Sequence, residues 1–283
     1  MRRYILNDVS PVSSDVQEFP LLDNGASENG CLCQGVFWPG TVRFNNGECA
    51  PLFIGGILKS AEIFTIAQKI AQEIADCFCS QKLLFLQILE GAAPFCRLVC
   101  DNLQSLSLSD AFTYDVAQLK VNSYLDGSQA RQHQVSLPLQ HISGKQITTL
   151  EAYDRVIVFD DLIDAGQTCA WLLSEYLPPY DPKQISVYFM LEKSRKRTPE
   201  VEETLKDVGA VCGKRVPNEW VVGYGLDIRL PGKAGQPPLH LFRGPLPGGI
   251  YAFNSRIEKQ LLAEYQAHPH ELQRQLAVIA SSA

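Results

Sequence analysis

The segment Val156–Thr168 (VIVFDDLIDAGQT) constrains the fold of this chain more than any other. The run Arg155–Phe159 is short and nearly all apolar, the pattern of a strand covered on both faces. It ends on two adjacent acids, Asp160 and Asp161, and Asp164-Ala-Gly-Gln-Thr168 then leads toward a helix from Thr168 to about Tyr176. In open α/β sheets ligands bind at the carboxyl ends of the strands, where this acidic turn would stand.

Neighbouring segments supply the rest of such a sheet. Leu83–Leu89 (LLFLQIL), Val116–Val121 and Ile185–Leu191 read as further strands. Ahead of them, Ile63, Ile66, Ala67, Ile70, Ala71 and Ile74 recur three and four apart, which predicts an amphipathic helix over 61–76 with Ser60 as its cap. Pro94 is placed to open a second helix running to about Leu103. Strands alternating with helices imply βαβ units and a mainly parallel sheet. The polar stretch Asp126–Gln140 has no clear period and reads as a loop. Residues 1–50 read as an irregular arm with short strands, and Ser255-x-x-Glu258 as a capping box ahead of C-terminal helices.

Composition narrows the class of partner. The chain has 283 residues, 46% of them hydrophobic and 20% charged, which suits a folded protein. A net charge of −6 gives no broad positive surface for nucleic acid, and the one basic cluster, Lys193-Ser-Arg-Lys-Arg197, is short. Nine scattered cysteines do not form a disulfide framework, and the pairs Cys31-x-Cys33 and Cys77-x-Cys79 are spaced too closely for a usual zinc site. No apolar run is long enough to cross a bilayer and the N-terminus lacks a signal peptide's core, so the expectation is a cytoplasmic protein with no membrane partner.

The acidic turn also has chemistry of its own. Two carboxylates at a strand end can accept hydrogen bonds from vicinal hydroxyls. Backbone N–H groups around Ala165, Gly166 and Gln167, with the Thr168 hydroxyl, can surround a phosphate. A phosphorylated sugar satisfies both halves. The chain contains neither a P-loop string nor a Gly-x-Gly-x-x-Gly after a strand.

Val156–Thr168 resembles the signature of the type I phosphoribosyltransferases, and Phe189–Lys193 (FMLEK) followed by Val216–Asp227 (VPNEWVVGYGLD) resembles the hypoxanthine-guanine members of that family. The likeness covers roughly residues 60–253. It implies an α/β fold with a central, mainly parallel sheet flanked by helices, a small hood and C-terminal helices. The expected division is an N-terminal arm contributing to the hood (1–57), a core (58–212), a purine-binding hood segment (213–254) and a helical extension (255–283).

The same resemblance implies a set of roles. Asp160 and Asp161 would meet the ribose of 5-phosphoribosyl-1-pyrophosphate, and Ala165, Gly166, Gln167 and Thr168 its 5-phosphate. Asp164 would manage the proton at the purine N7. Lys193, with Lys196 as competitor, would donate to the 6-oxo group. Trp220 would stack on the base, the Val221 backbone would meet its edge, and Asp227 would help hold Mg²⁺. Glu90 and Gly91 occupy the pyrophosphate loop, although Glu90 stands where a base is common. Arg243 corresponds to an arginine near pyrophosphate, and Ser123 and Tyr124 to a flexible lid. The implied reaction joins the phosphoribosyl group to hypoxanthine or guanine, with xanthine open, in a homodimer or homotetramer. The alternative is a binding or regulatory protein of the same fold without turnover.

Overall fold

The computed structural model describes residues 31–33, 36–38, 41–106, 113–125, 131–230, 239–241 and 249–281. Two short hairpins come first, β1 (Cys31–Cys33) with β2 (Val36–Trp38) and β3 (Thr41–Arg43) with β4 (Cys49–Pro51). Strand β5 (Phe53–Lys59) runs directly into helix α1 (Ser60–Cys77). The helix matches its predicted span and buries Ile63, Ile66, Ala67, Ile70, Ala71 and Ile74, the apolar stripe of the sequence. At its start the Lys59 amide donates to the Glu62 carboxylate at 2.9 Å.

The chain then alternates strand and helix: β6 (Lys82–Leu89), α2 (Ala92–Ser105), β7 (Thr113–Leu125), β8 (Arg131–His141), β9 (Arg155–Ile163), α3 (Gln167–Trp171), β10 (Ile185–Lys193), α4 (Pro199–Asp207) and β11 (Val211–Val216). The α3 helix continues through one π-helical turn over Leu172–Tyr176. Six strands form one sheet in the order β11-β10-β9-β6-β7-β8. Every neighbouring pair is parallel except β7 with β8. The strands β6 and β10, and β9 from Val156 to Phe159, are almost continuously buried, which is why they read as unbroken apolar runs.

Three expectations need correction. The segment read as a loop over 126–140 is edge strand β8 from Arg131 onward, with 126–130 outside the described residues. Val135, Leu137 and Leu139 alternate with Gln134, Ser136 and Pro138, a period of two that the glutamines obscure. Pro138 is tolerated because β8 is an edge and its register with β7 shifts there. Second, β9 does not stop at Phe159. It runs to Ile163, so Asp160 and Asp161 lie within the strand, paired along β10 where Phe189 faces Asp160 and Leu191 faces Leu162. Third, Ser255 does not cap the C-terminal helix: Ser255–Ile257 is itself a 3₁₀ turn, and no side chain caps the helix at Glu258.

Phe64–Val216 forms one compact unit. Its core on one side of the sheet gathers Leu86, Ile88, Val158, Ile163, Phe189 and Leu205 among others. A second unit combines the described parts of 11–63 with 217–281. In it β12 (Val221–Val222), β15 (Gly249–Phe253) and β5 pair antiparallel, while β13 (Ile228–Leu230) and β14 (Leu239–Leu241) form a separate hairpin. Helices α5 (Glu258–Ala267) and α6 (Pro269–Ser281) close this unit. Leu261, Tyr265, Leu272 and Leu276 pack with Val42, Leu52, Phe53 and Tyr251. Gly249, with φ near +141°, cannot gain a side chain, since a Cβ there would overlap the Leu58 carbonyl.

Phe159 is fully buried in β9, with its ring against those of Phe85, Phe95 and Tyr188. Phe159→Ala is expected to lower unfolding free energy by about 3–5 kcal/mol. Urea denaturation checks this; a loss below about 1 kcal/mol would contradict the packing.

Candidate functional site

The carboxyl ends of β6 and β9 and the turn into α3 enclose an open cleft of about 250 Å³, lined by Leu89, Gly91, Val121, Asp160 to Cys169 and Phe189. All the residues expected to meet ribose and 5-phosphate, Asp160, Asp161 and Ala165–Thr168, therefore line one space. The turn is built around Gly166, which takes φ +74° and ψ +3° at the helix N-cap, a left-handed conformation that suits glycine. A Cβ there would also lie 2.7 Å from Val201 Cγ1. The helix closes behind it as the Ala170 amide donates to the Gly166 carbonyl at 2.9 Å.

The acid pair is held at an electrostatic cost. Burial first, and then the neighbouring Asp161 carboxylate, push the Asp160 carboxyl well above the usual range. Burial pushes Asp161 up to about 6, against hydrogen bonds from backbone amides and from Asp160. The Asp161 amide donates to Asp160 Oδ1 at 3.1 Å. Gly91 lies so close to Asp161 that a Cβ would overlap its carboxylate, which ties the turn after β6 to the acid pair. Such a pair calls for a ligand that supplies hydroxyl donors or positive charge.

Asp164 stands in a different field. Burial alone would raise its carboxyl, but a hydrogen bond from Arg195 and the charges of Lys193 and Arg195 outweigh it and hold the group below its usual range. Lys193 Nζ lies 3.4 Å from Asp164 Oδ2, and Arg195 Nη1 donates to Oδ1 at 2.8 Å. The parallel register of Glu192 with Ile163 explains the meeting, because it sets the residues that follow them, Lys193 and Asp164, side by side. Of the two competing lysines, Lys193 points into this cluster with a side chain 10% exposed, whereas Lys196 is exposed on the turn.

Glu90 follows β6 in the turn leading to α2, and Lys120 of β7 pairs with it at 2.5 Å. Leu89 and Lys120 are register partners, so the sheet brings a cation to the turn whose own base is missing. Sequence reading missed Lys120, and also Arg195 and Arg197, which it left inside a generic basic cluster. The parallel pairing of their strands is the signal that finds them.

Other expected residues lie elsewhere. Trp220, Val221 and Asp227 belong to the second unit. There Trp220 is 54% exposed, Val221 is buried and paired with Ala252, and Asp227 is exposed. Between them Gly223, Tyr224 and Gly225 all take positive φ, forming a tight turn closed by a bridge between Gly223 and Leu226. Ser123 and Tyr124 lie in β7, opposite His133 and Gln132 of β8. Arg243 lies outside the described residues. Among the described residues there is no group of three or more His, Cys, Asp or Glu that could hold a metal, and no helix is long and apolar enough to cross a membrane.

The sheet order, the acid pair on β9 and the glycine turn into α3 define the fold of the type I phosphoribosyltransferases. The structure is similar to that of a hypoxanthine phosphoribosyltransferase from Staphylococcus aureus, with a TM-score of 0.53 and 20% identity over 71% of this chain and 92% of that one. By sequence, the chain is 29% identical over 187 residues to a Mycobacterium avium hypoxanthine-guanine phosphoribosyltransferase, covering 64% of this chain and 82% of the relative. It is also 28% identical over 162 residues to the human phosphoribosyltransferase domain-containing protein 1, covering 56% of this chain and 66% of that relative's length. No protein-family model matches the chain. Within this fold class the chain is thus similar to hypoxanthine-guanine phosphoribosyltransferases, at identities below 30%.

Asp161→Asn tests the field at the acid pair. A carboxyl with a raised native pKa makes folding most favourable below its unfolded value near 4 and weakens it as pH rises through about 6. At pH 7 the asparagine variant is expected to be more stable than wild type by about 1–3 kcal/mol, with the gain vanishing by about pH 4. Thermal melts across that range would read it, and a variant less stable at pH 7 would contradict the burial argument.

Proposed function

We propose that the protein transfers the 5-phosphoribosyl group from phosphoribosyl pyrophosphate to a 6-oxopurine, giving a nucleoside monophosphate and pyrophosphate. One observation carries the reading: Asp164, which Lys193 pairs with at 3.4 Å, lines the same cleft as the rest of the Asp160–Thr168 cradle. Asp160 and Asp161 would accept from the ribose hydroxyls, and the Ala165–Thr168 turn would hold the 5-phosphate. Lys193 would donate to the purine O6, a contact that adenine, with an amino donor there, does not accept. Asp164, ionised throughout the neutral range, would accept hydrogen from N7 and steady the charge that develops on the imidazole. Trp220 is assigned to stacking on the base and Val221 to its edge.

Mg²⁺ fits as a substrate-borne ion. It is usually held by one or two carboxylates together with substrate phosphates, and so needs no protein-only cluster. Asp227 is the carboxylate we assign to it. When bound, the ion neutralises and orients the leaving pyrophosphate.

The second reading is a protein of the same fold that binds phosphoribosyl pyrophosphate without turnover. Glu90 favours it, since an acid in the pyrophosphate turn opposes an anionic leaving group. Lys120 answers that acid directly, and Gly91 lines the cleft, where its amide would be the donor to an anion.

The deciding assay supplies phosphoribosyl pyrophosphate and Mg²⁺ with guanine, hypoxanthine, xanthine or adenine in turn and follows pyrophosphate release. Release with a 6-oxopurine and not with adenine is expected; binding of phosphoribosyl pyrophosphate without release for any base would favour the second reading. Asp164→Asn is expected to lower kcat by about 10²-fold while leaving phosphoribosyl pyrophosphate affinity within a few-fold. Because Arg195 and Lys193 hold the Asp164 carboxyl low, the acid limb of kcat/KM is expected below the ordinary carboxylate range of about 4, and Arg195→Ala should move it upward. An acid limb unchanged by that substitution would remove Arg195 from control of Asp164.

A further inference from the structure

Arg197 is not among the residues that the ribose, the phosphate or the purine would touch, yet every nitrogen of its buried guanidinium donates a hydrogen bond next to the site. Its side chain is 2% exposed. Nε donates to the Asp164 carbonyl at 2.9 Å, and Nη2 donates to the Ile163 carbonyl at 3.4 Å and the Lys193 carbonyl at 3.3 Å. Nη1 donates to Glu192, itself 3% exposed, at 2.7 Å and to Glu202 of α4 at 3.3 Å. Glu192 also pairs with Arg215 of β11 at 3.3 Å.

These contacts fall where the sheet stops. The β9–β10 ladder ends at the pairing of Ile163 with Glu192, so the Asp164 and Lys193 carbonyls lie just beyond it, the latter also accepting from the Arg195 amide at 2.9 Å. Arg197 takes them up, and its planar fork bonds to the ends of both strands at once. The residues held in this way carry Asp164 and Lys193, the two groups assigned to the purine. Its Cδ also stands 3.5 Å from where a Cβ at Gly166 would be, behind the turn and away from the cleft.

We infer that Arg197 is a positioning residue that sets the spacing of Asp164 and Lys193 and thereby the fit of the purine edge. The inference rests on the proposed transfer reaction for its kinetic consequences but not for its binding ones. A displacement of about 1 Å at such a pair can cost on the order of 10²-fold in rate.

Arg197→Lys in the full chain is the test. Lysine keeps a buried cation against Glu192, but a single ammonium cannot bond three carbonyls along two strand ends. The variant is expected to melt within a few degrees of wild type and to bind ribose 5-phosphate within about twofold by calorimetry. Its kcat/KM for guanine should fall at least tenfold through a lower kcat and a higher guanine KM, and the acid limb should rise as Asp164 loses the alignment with Lys193. GMP affinity should fall at least fivefold. Unchanged guanine kinetics and pH profile, or equal losses for ribose 5-phosphate and GMP, would overturn the inference. If wild type turns over no base, the contrast between GMP and ribose 5-phosphate binding still decides it, and only the reaction assignment is lost. Should Arg197→Lys fail to fold, Glu202→Gln removes only the outer partner; a two- to threefold loss confined to guanine and GMP supports the inference, and none overturns it.

Discussion

The parallel register of β9 with β10 is the constraint on which the candidate site depends. Every backbone pair from Val156 with Ile185 to Ile163 with Glu192 fixes where each strand ends, and so which side chains stand next to one another above the sheet. Asp164 and Lys193, 29 positions apart, meet because the ladder brings them to one level. A shift of one residue would turn Asp160 and Asp161 to the opposite faces and separate the lysine from its carboxylate. The buried runs of both strands oppose such a slip, since it would move Val158, Phe159, Phe189 and Met190 out of their packing.

Two electrostatic environments arise a few residues apart on that frame. Asp160 and Asp161 are crowded together with little positive charge near them, and their carboxyls are pushed up. Asp164 is flanked by Lys193 and Arg195 and is held down. Carboxylates whose environments drive them apart in this way are suited to different tasks, one set to receive hydroxyls or a cation and the other to remain ionised beside a base. Perturbed carboxyls also occur in structural ion networks. Here they gather along one cleft with the glycine turn, which the acid and cation clusters alone would not require.

Much of this was legible in the sequence because burial writes itself as unbroken apolar runs. LLFLQIL and VIVF named β6 and β9, and the three-and-four spacing from Ile63 to Ile74 named α1. The string DDLIDAGQT carried the cradle, since a glycine between an acid and a helix start has few other uses. What stayed hidden depended on partners far along the chain. Strand β8 was masked by glutamines on a solvent-facing edge, and the true end of β9 by charged residues whose backbones pair as well as any others. Lys120 and Arg197 carry no local signal: one matters through its register with Leu89, the other through the Asp164 and Ile163 carbonyls more than thirty residues away. The capping-box pattern at Ser255 misleads because helix α5 begins through a 3₁₀ turn and not at that serine.

The central claim is that one cleft joins a ribose-phosphate cradle to a 6-oxopurine edge, and the reverse reaction tests it most directly. With GMP, pyrophosphate and Mg²⁺ supplied together, the account predicts time-dependent formation of guanine and phosphoribosyl pyrophosphate, abolished in Asp164→Asn. Tight GMP binding with no guanine formed over extended incubation would contradict it and leave a nucleotide-binding protein built on the same fold.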